Sequence, residues 1–93
     1  MIGLLTLHLR IPGCTSLKEK RSRLKPLLAR LHKEFNISVA EMDLQDKWRE
    51  AVLACEMVGN ERVHLEQSLQ AVSHWVDENW SDVQLFDEQF ELI

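Results

Sequence analysis

An α+β domain built in the order β-α-β-β-α-β is what the periodicities of this 93-residue chain predict. Three observations carry that expectation. Two long segments, 17–35 and 61–79, repeat apolar residues three and four positions apart, which is the spacing of one helix face. The segments around them alternate apolar and polar residues or run apolar and rich in Val, as strands do. No repeat, linker or low-complexity stretch interrupts the order, and a chain below about 100 residues has room for one core, so a single domain over 1–93 is expected.

In residues 2–11, IGLLTLHLRI, Gly3, Leu5, Leu7, Leu9 and Ile11 share one face, while Thr6, His8 and Arg10 share the other. That is the pattern of a half-buried strand, stopped by Pro12 and Gly13. Ser16-Leu17-Lys18-Glu19 reads as a capping box, with the Ser16 hydroxyl accepting a first-turn N–H and Glu19 accepting the Ser16 N–H. Behind it Leu17, Leu24, Leu28, Leu31 and Phe35 form the stripe of an amphipathic helix of about 18 residues. Pro26 falls inside and should kink a continuous helix, because the stripe keeps its phase across it.

Residues 36–43, NISVAEMD, read as a second strand, Leu44-Gln45-Asp46 as a turn, and 48–58, WREAVLACEMV, as a third strand beside it. Asn60 is a suitable N-cap with Glu61 favourable against the helix dipole, and Leu65, Leu69, Val72 and Val76 then line the second helix, with Trp75 beside them. Residues 83–92 close the chain as a strand, with Phe86, Phe90 and Leu92 expected on one face. Right-handed crossovers put both helices on one side of a four-stranded sheet, a ferredoxin-like sandwich of strand order 4-1-3-2. Its other sheet face is left uncovered.

Composition narrows the class. With 45% apolar and 28% charged residues and few Gly or Pro, the chain is too apolar to stay disordered. The opening apolar run lacks a basic flank and is broken by His8 and Arg10, so it reads as a strand and not as a leader. No window approaches the roughly 18 apolar residues of a membrane span. Cys14 and Cys55 belong to no metal or redox motif and read as free thiols of a cytoplasmic protein, Cys55 in the core and Cys14 in a loop.

The formal charge of −4 conceals a division. Residues 1–35 carry eight Lys/Arg against two Glu, whereas residues 36–93 carry three against thirteen Asp/Glu. Lys18, Lys20, Arg21, Arg23 and Lys25 crowd the first helix, with Arg10 at the end of the preceding strand. Cations spaced along a surface release counterions from a phosphate backbone, so these six residues are the candidate nucleic-acid contacts, with RNA or the ribosome as partner. The plainer alternative is a solvated helix paired with the acidic remainder of the chain. At 100° per residue the cations point in every direction away from the core instead of forming one stripe. A third reading gives the open sheet face, with Val52, Ala54 and Val58 turned outward, to another protein or to a second copy in a homodimer.

Other chemistries find little support. The sheet lacks the stacking aromatics of an RNA-recognition motif, since the third strand has no Phe or Tyr and Trp48 stands at its start. Glu41, Asp43 and Asp46 surround a turn without the spacing of a calcium loop, and Asp46 and Trp48 read better as a tether for the hairpin. His8, His32, His64 and His74 form no ligand set. GxSxG, P-loop and GxGxxG patterns are absent, so a non-enzymatic domain with no metal, no cofactor and no small-molecule substrate is expected.

Three blocks, IPGCTSLKEKR (11–21), FNISVAEMDLQDKW (35–48) and VGNERVH (58–64), together resemble the YlxP-like family of small bacterial proteins, a domain of unknown function. The similarity spans essentially the whole chain. Cys14 and Leu44 stand where the family often has Ala and His. The resemblance implies a ferredoxin-like fold and no established activity. It also implies a gene neighbourhood of transcription-termination, translation-initiation and ribosome-maturation factors, which is association and not mechanism.

Overall fold

A computed structural model describes residues 1–44 and 46–93; Gln45 of the expected turn lies outside the described residues. The elements run β1 (Ile2–Arg10), α1 (Leu17–Glu34), β2 (Ser38–Asp43), β3 (Glu50–Val58), α2 (Arg62–Asn79) and β4 (Gln84–Leu92). The strands form one sheet in the order β2-β3-β1-β4, with every neighbouring pair antiparallel. This is the expected α+β sandwich, its order written from the other edge.

Alternation on β1 decides what the sheet buries. Leu5, Leu7 and Leu9 are buried and pair in register with Cys55, Leu53 and Ala51 of β3. Leu24, Leu27 and Leu31 of α1 and Leu69, Val72 and Val76 of α2 pack on this same apolar surface. Both helices therefore cover one sheet face. Gly3 belongs to that face because a Cβ there would stand 3.0 Å from Leu69 Cδ1. Gly13, at φ +71°, takes the left-handed turn that ends β1.

The termini of the elements differ from expectation in small, explicable ways. α1 runs through Pro26 without a break; the proline is exposed, so its missing N–H leaves the carbonyl of Ser22 on the solvent side. β3 begins at Glu50 and not at Trp48, which is half exposed in the preceding turn. α2 starts one residue late, with Glu61 and not Asn60 at the N-cap and no side-chain cap bond. The β1–β3 pairing continues through Gly59, whose N–H donates to the Met1 carbonyl at 3.0 Å, so the chain turns into the helix later.

Two register shifts reshape the sheet. Between His8 and Leu9, β4 carries an extra residue, Phe86, because His8 pairs with Asp87 and Leu9 with Leu85. Phe90 and Leu92 share the helix-side register with Leu5 and Gly3, but Phe86 is displaced to the open face. There it meets the His8 ring edge-on at 5.8 Å between centroids. The expected common face for Phe86, Phe90 and Leu92 is thus corrected. A second shift places Met42 as the extra residue between Glu41 and Asp43 of β2.

Candidate nucleic-acid interface

The six cations singled out in the sequence occupy three different environments. Lys20 is 1% exposed. Its Nζ lies 2.7 Å from Glu41 Oε2 on β2 and donates at 2.7 Å to the Leu44 carbonyl. Leu44 has a positive φ of 58°, and its carbonyl also accepts from the Lys47 N–H at 2.9 Å. Lys20 thus locks the start of the β2–β3 connection onto α1 and is withdrawn from any surface. Its inclusion among nucleic-acid contacts is corrected. On the helical wheel it falls between Leu27 and Leu31, about 20° from each, so burial of its stem is what the helix geometry demands.

Arg23 is also committed internally, although it is less buried. Its guanidinium donates to Asp82 Oδ2 at 2.9 Å, to the Asp82 carbonyl at 2.6 Å and to the Pro12 carbonyl at 2.7 Å. One planar fork thereby joins α1 to the loops after β1 and before β4. Its hydrogen bond to Asp82 is the largest cause raising its pKa above the ordinary value. Arg49 performs a similar role with a bond of 3.1 Å from Nε to the Cys14 carbonyl, while its own carbonyl accepts the Ile11 N–H at 2.9 Å. Arg49 and Lys20 tether the β2–β3 hairpin to the domain.

The first turn of α1 is capped as expected on one side only. Ser16 Oγ accepts the Glu19 N–H at 3.0 Å, but the Glu19 carboxylate accepts from Thr15 Oγ1 at 3.2 Å instead of the Ser16 N–H. Desolvation pushes the Glu19 carboxyl up, yet hydrogen bonds from Cys14, Thr15 and Arg23, with the Arg23 charge, hold it below the ordinary carboxylate value. Cys14 is buried despite its loop position, and its Sγ also lies 3.3 Å from the Ser16 carbonyl oxygen.

Arg10 stands on the other side of the sheet. Its guanidinium lies 4.7 Å above the Phe86 ring, and it pairs in register with Glu50 of β3. The surrounding open face presents Glu56, Asp87 and Glu91 at outward register positions. Arg10 therefore does not join the helix cations in one surface.

Lys18, Arg21 and Lys25 remain. All three are exposed, and none pairs with a carboxylate among the described residues. They lie within about 60° of one another on the helix and span about 10 Å along its axis. Lys33, also exposed, lies farther round the helix, about 80° from Lys25. With Lys20 and Arg23 assigned inward, Lys18, Arg21 and Lys25 share one side of the outer arc, while exposed Arg30 and Lys33 keep the cations of the helix spread as expected. The sequence gives the directions of these cations at 100° per residue, but not the distant partners that hold Lys20 and Arg23 inward.

Glu41, Asp43 and Asp46 do not converge, since Glu41 faces Lys20 across the α1–β2 junction. Among the described residues no group of three His, Cys, Asp or Glu is placed to hold a metal ion. No helix among them is long and apolar enough to cross a membrane.

Comparison with known proteins gives the family and stops there. Residues 2–90 match the model of the family described as "Protein of unknown function (DUF503)". The "Uncharacterized protein YlxP" of Bacillus subtilis (strain 168) is 38% identical over 77 residues, covering 83% of this chain and 84% of its own length. With a family match over nearly every residue and a relative aligned across most of both chains, this chain belongs to the DUF503 family of YlxP-like proteins.

Proposed function

We propose that this chain is a non-enzymatic binding domain that holds the phosphate backbone of RNA, free or on a ribosomal particle, through the outer side of α1. The observation that carries this reading is the row of Lys18, Arg21 and Lys25, which is exposed and without carboxylate partners among the described residues while the neighbouring Lys20 and Arg23 are held inward. Three cations over about 10 Å of helix suit consecutive phosphates and carry no information about base sequence. Contacts of this kind give weak binding, with Kd of about 10⁻⁴–10⁻⁶ M at physiological salt.

Co-sedimentation with ribosomal RNA at low salt, about 50 mM, tests it. The parent chain should be retained and a Lys18→Glu/Arg21→Glu/Lys25→Glu variant lost. Arg10→Glu, on the far side of the sheet, should be retained like the parent. A parent chain that is not retained at this salt ends the proposal.

A second reading assigns the uncovered sheet face to self-association. Val58 is 76% and Phe86 43% exposed there, and both are large enough to anchor a contact. Val52, at 7% exposed, is already covered within one copy and is a poor probe of that face. Light scattering on Val58→Lys distinguishes the readings. A mass that falls from dimer to monomer favours association through the sheet, and an unchanged mass removes it.

A further inference from the structure

β4 is an edge of the sheet. In the order β2-β3-β1-β4 it pairs with β1 alone among the described strands, so main-chain groups along its outer side face away from the ladder. It is nine residues long against six for β2, the other edge, and so offers the longer run of main chain. α2 packs over β1 and β4. Ser73 of α2, 5% exposed, donates its hydroxyl to Glu88 Oε2, and Glu88 holds the helix-side register opposite Leu7. On the helical wheel Glu66 and Asp77 lie within about 40° of Ser73, so the arc of α2 that faces β4 is acidic. Between α2 and β4 lies a shallow groove of about 410 Å³, lined by Ser73, Asp77, Leu85 and Glu88 among others. Asp87 and Glu91 stand on the open side of the same strand, opposite His8 and Leu4. None of Glu66, Asp77, Asp87, Glu88 and Glu91 pairs with a cation among the described residues.

We infer that the β4 edge receives an extended segment of a partner protein that carries arginine or lysine at alternate positions. The segment adds to the sheet as a further strand, with one basic side chain lying in the groove between Asp77 and Glu88. Charge selects this occupant. A second copy adding through its own β4 would set Asp87, Glu88 and Glu91 against like carboxylates, and a phosphate backbone would meet the same repulsion. A basic strand turns repulsion into attraction. Its side chains alternate between the α2 side, where Glu66, Asp77 and Glu88 stand, and the open side, where Asp87 and Glu91 stand. Main-chain hydrogen bonds to β4 supply affinity, and the groove favours arginine, whose planar fork can bridge two carboxylates. The bulge at Phe86 interrupts the ladder, so the added strand follows β4 from Asp87 onward. This surface uses none of the α1 cations, and the inference is independent of the RNA reading.

A dye-labelled peptide of alternating arginine and valine, added to the full chain and followed by fluorescence anisotropy, tests it. The peptide should bind, and amide hydrogen exchange should slow along β4 and not along β2. The same peptide N-methylated along its whole backbone keeps every charge but cannot pair its main chain, and should not bind. Asp77→Asn/Glu88→Gln, in which Gln can still accept from Ser73, should weaken the unmethylated peptide about tenfold. Asp87→Asn/Glu91→Gln, on the open side of the strand, should weaken it too, whereas Glu56→Gln on β3 should leave it unchanged. Equal affinity for the methylated peptide, or undiminished affinity in both double variants, overturns the strand site. Protection confined to β2 also overturns it. A dimer of the free chain that dissociates on Asp77→Asn/Glu88→Gln gives the edge to a second copy and overturns the inference as well. Failure of the alternating peptide to bind overturns it while leaving RNA retention by α1 untouched.

Discussion

The ammonium of Lys20 sits 2.7 Å from Glu41 Oε2, joining the second turn of α1 to β2 in a position that leaves the lysine 1% exposed. Its neighbours Lys18 and Arg21 are in water. One helix thus carries two populations of cation, and the division follows from helix geometry. Lys20 shares the arc of Leu24, Leu27 and Leu31, whereas Lys18, Arg21 and Lys25 occupy the opposite arc.

Removing Lys20 should therefore damage stability. Lys20→Ala leaves the largely covered Glu41 carboxylate without its cation and is expected to cost about 3 kcal/mol in urea unfolding, near the low end for a buried pair because Glu41 keeps 19% exposure. Adding Glu41→Leu should recover most of that loss, since an apolar pair removes both desolvation penalties. Losses that simply add would show that the two groups do not act as a pair.

The Cys55 thiol gives a prediction in pH. Burial pushes it up from 9.0 to about 12, so the folded chain keeps the proton while the unfolded chain releases it. The associated stability is fully present below the unfolded value and is lost as pH rises from 9.0 toward about 12. In a Cys14→Ala background, unfolding free energy should fall over this range, and further replacement of Cys55 by Val should flatten the fall. Equal alkaline loss in both proteins would assign the effect to other groups.

The indole N–H of Trp80 is buried and has no acceptor among the described residues. An unsatisfied buried donor already carries its desolvation penalty, so removing it is inexpensive. Trp80→Phe should stay within about 1 kcal/mol of the parent in urea unfolding, because the lost donor offsets part of the lost packing. A loss of about 3 kcal/mol or more would mean that the N–H has a strong partner in solution.

Most of the architecture was legible because it rests on periodicity. Leu5, Leu7 and Leu9 announce β1, and the spacing of Leu24, Leu28 and Leu31 announces α1, although Leu27 is fully buried and Leu28 only partly so; both helices then follow the sheet on one side. What escaped notice depends on single insertions and on pairs distant in sequence. Phe86, Phe90 and Leu92 keep strict alternation, yet one extra residue in β4 moves Phe86 to the other face. Val83 and Leu85 carried the missed clue, since these core-packed residues hold odd positions whereas Phe90 and Leu92 hold even ones. The partners of Arg23 at Pro12 and Asp82 are likewise set by loop positions that no local pattern encodes. The candidate interface was legible as a charged helix, but its outer row emerged only after Lys20 and Arg23 were seen to face inward.

The dependence of RNA affinity on salt tests that division most directly. Three phosphate contacts on a single strand give a slope of about −2 for log K against log salt. The parent chain should show this slope, Arg10→Glu should leave it unchanged, and Lys18→Glu/Arg21→Glu/Lys25→Glu should abolish binding. A slope near zero in the parent, or a slope that survives reversal of the three α1 residues, would contradict the assignment of the outer row of α1 as the RNA-binding surface.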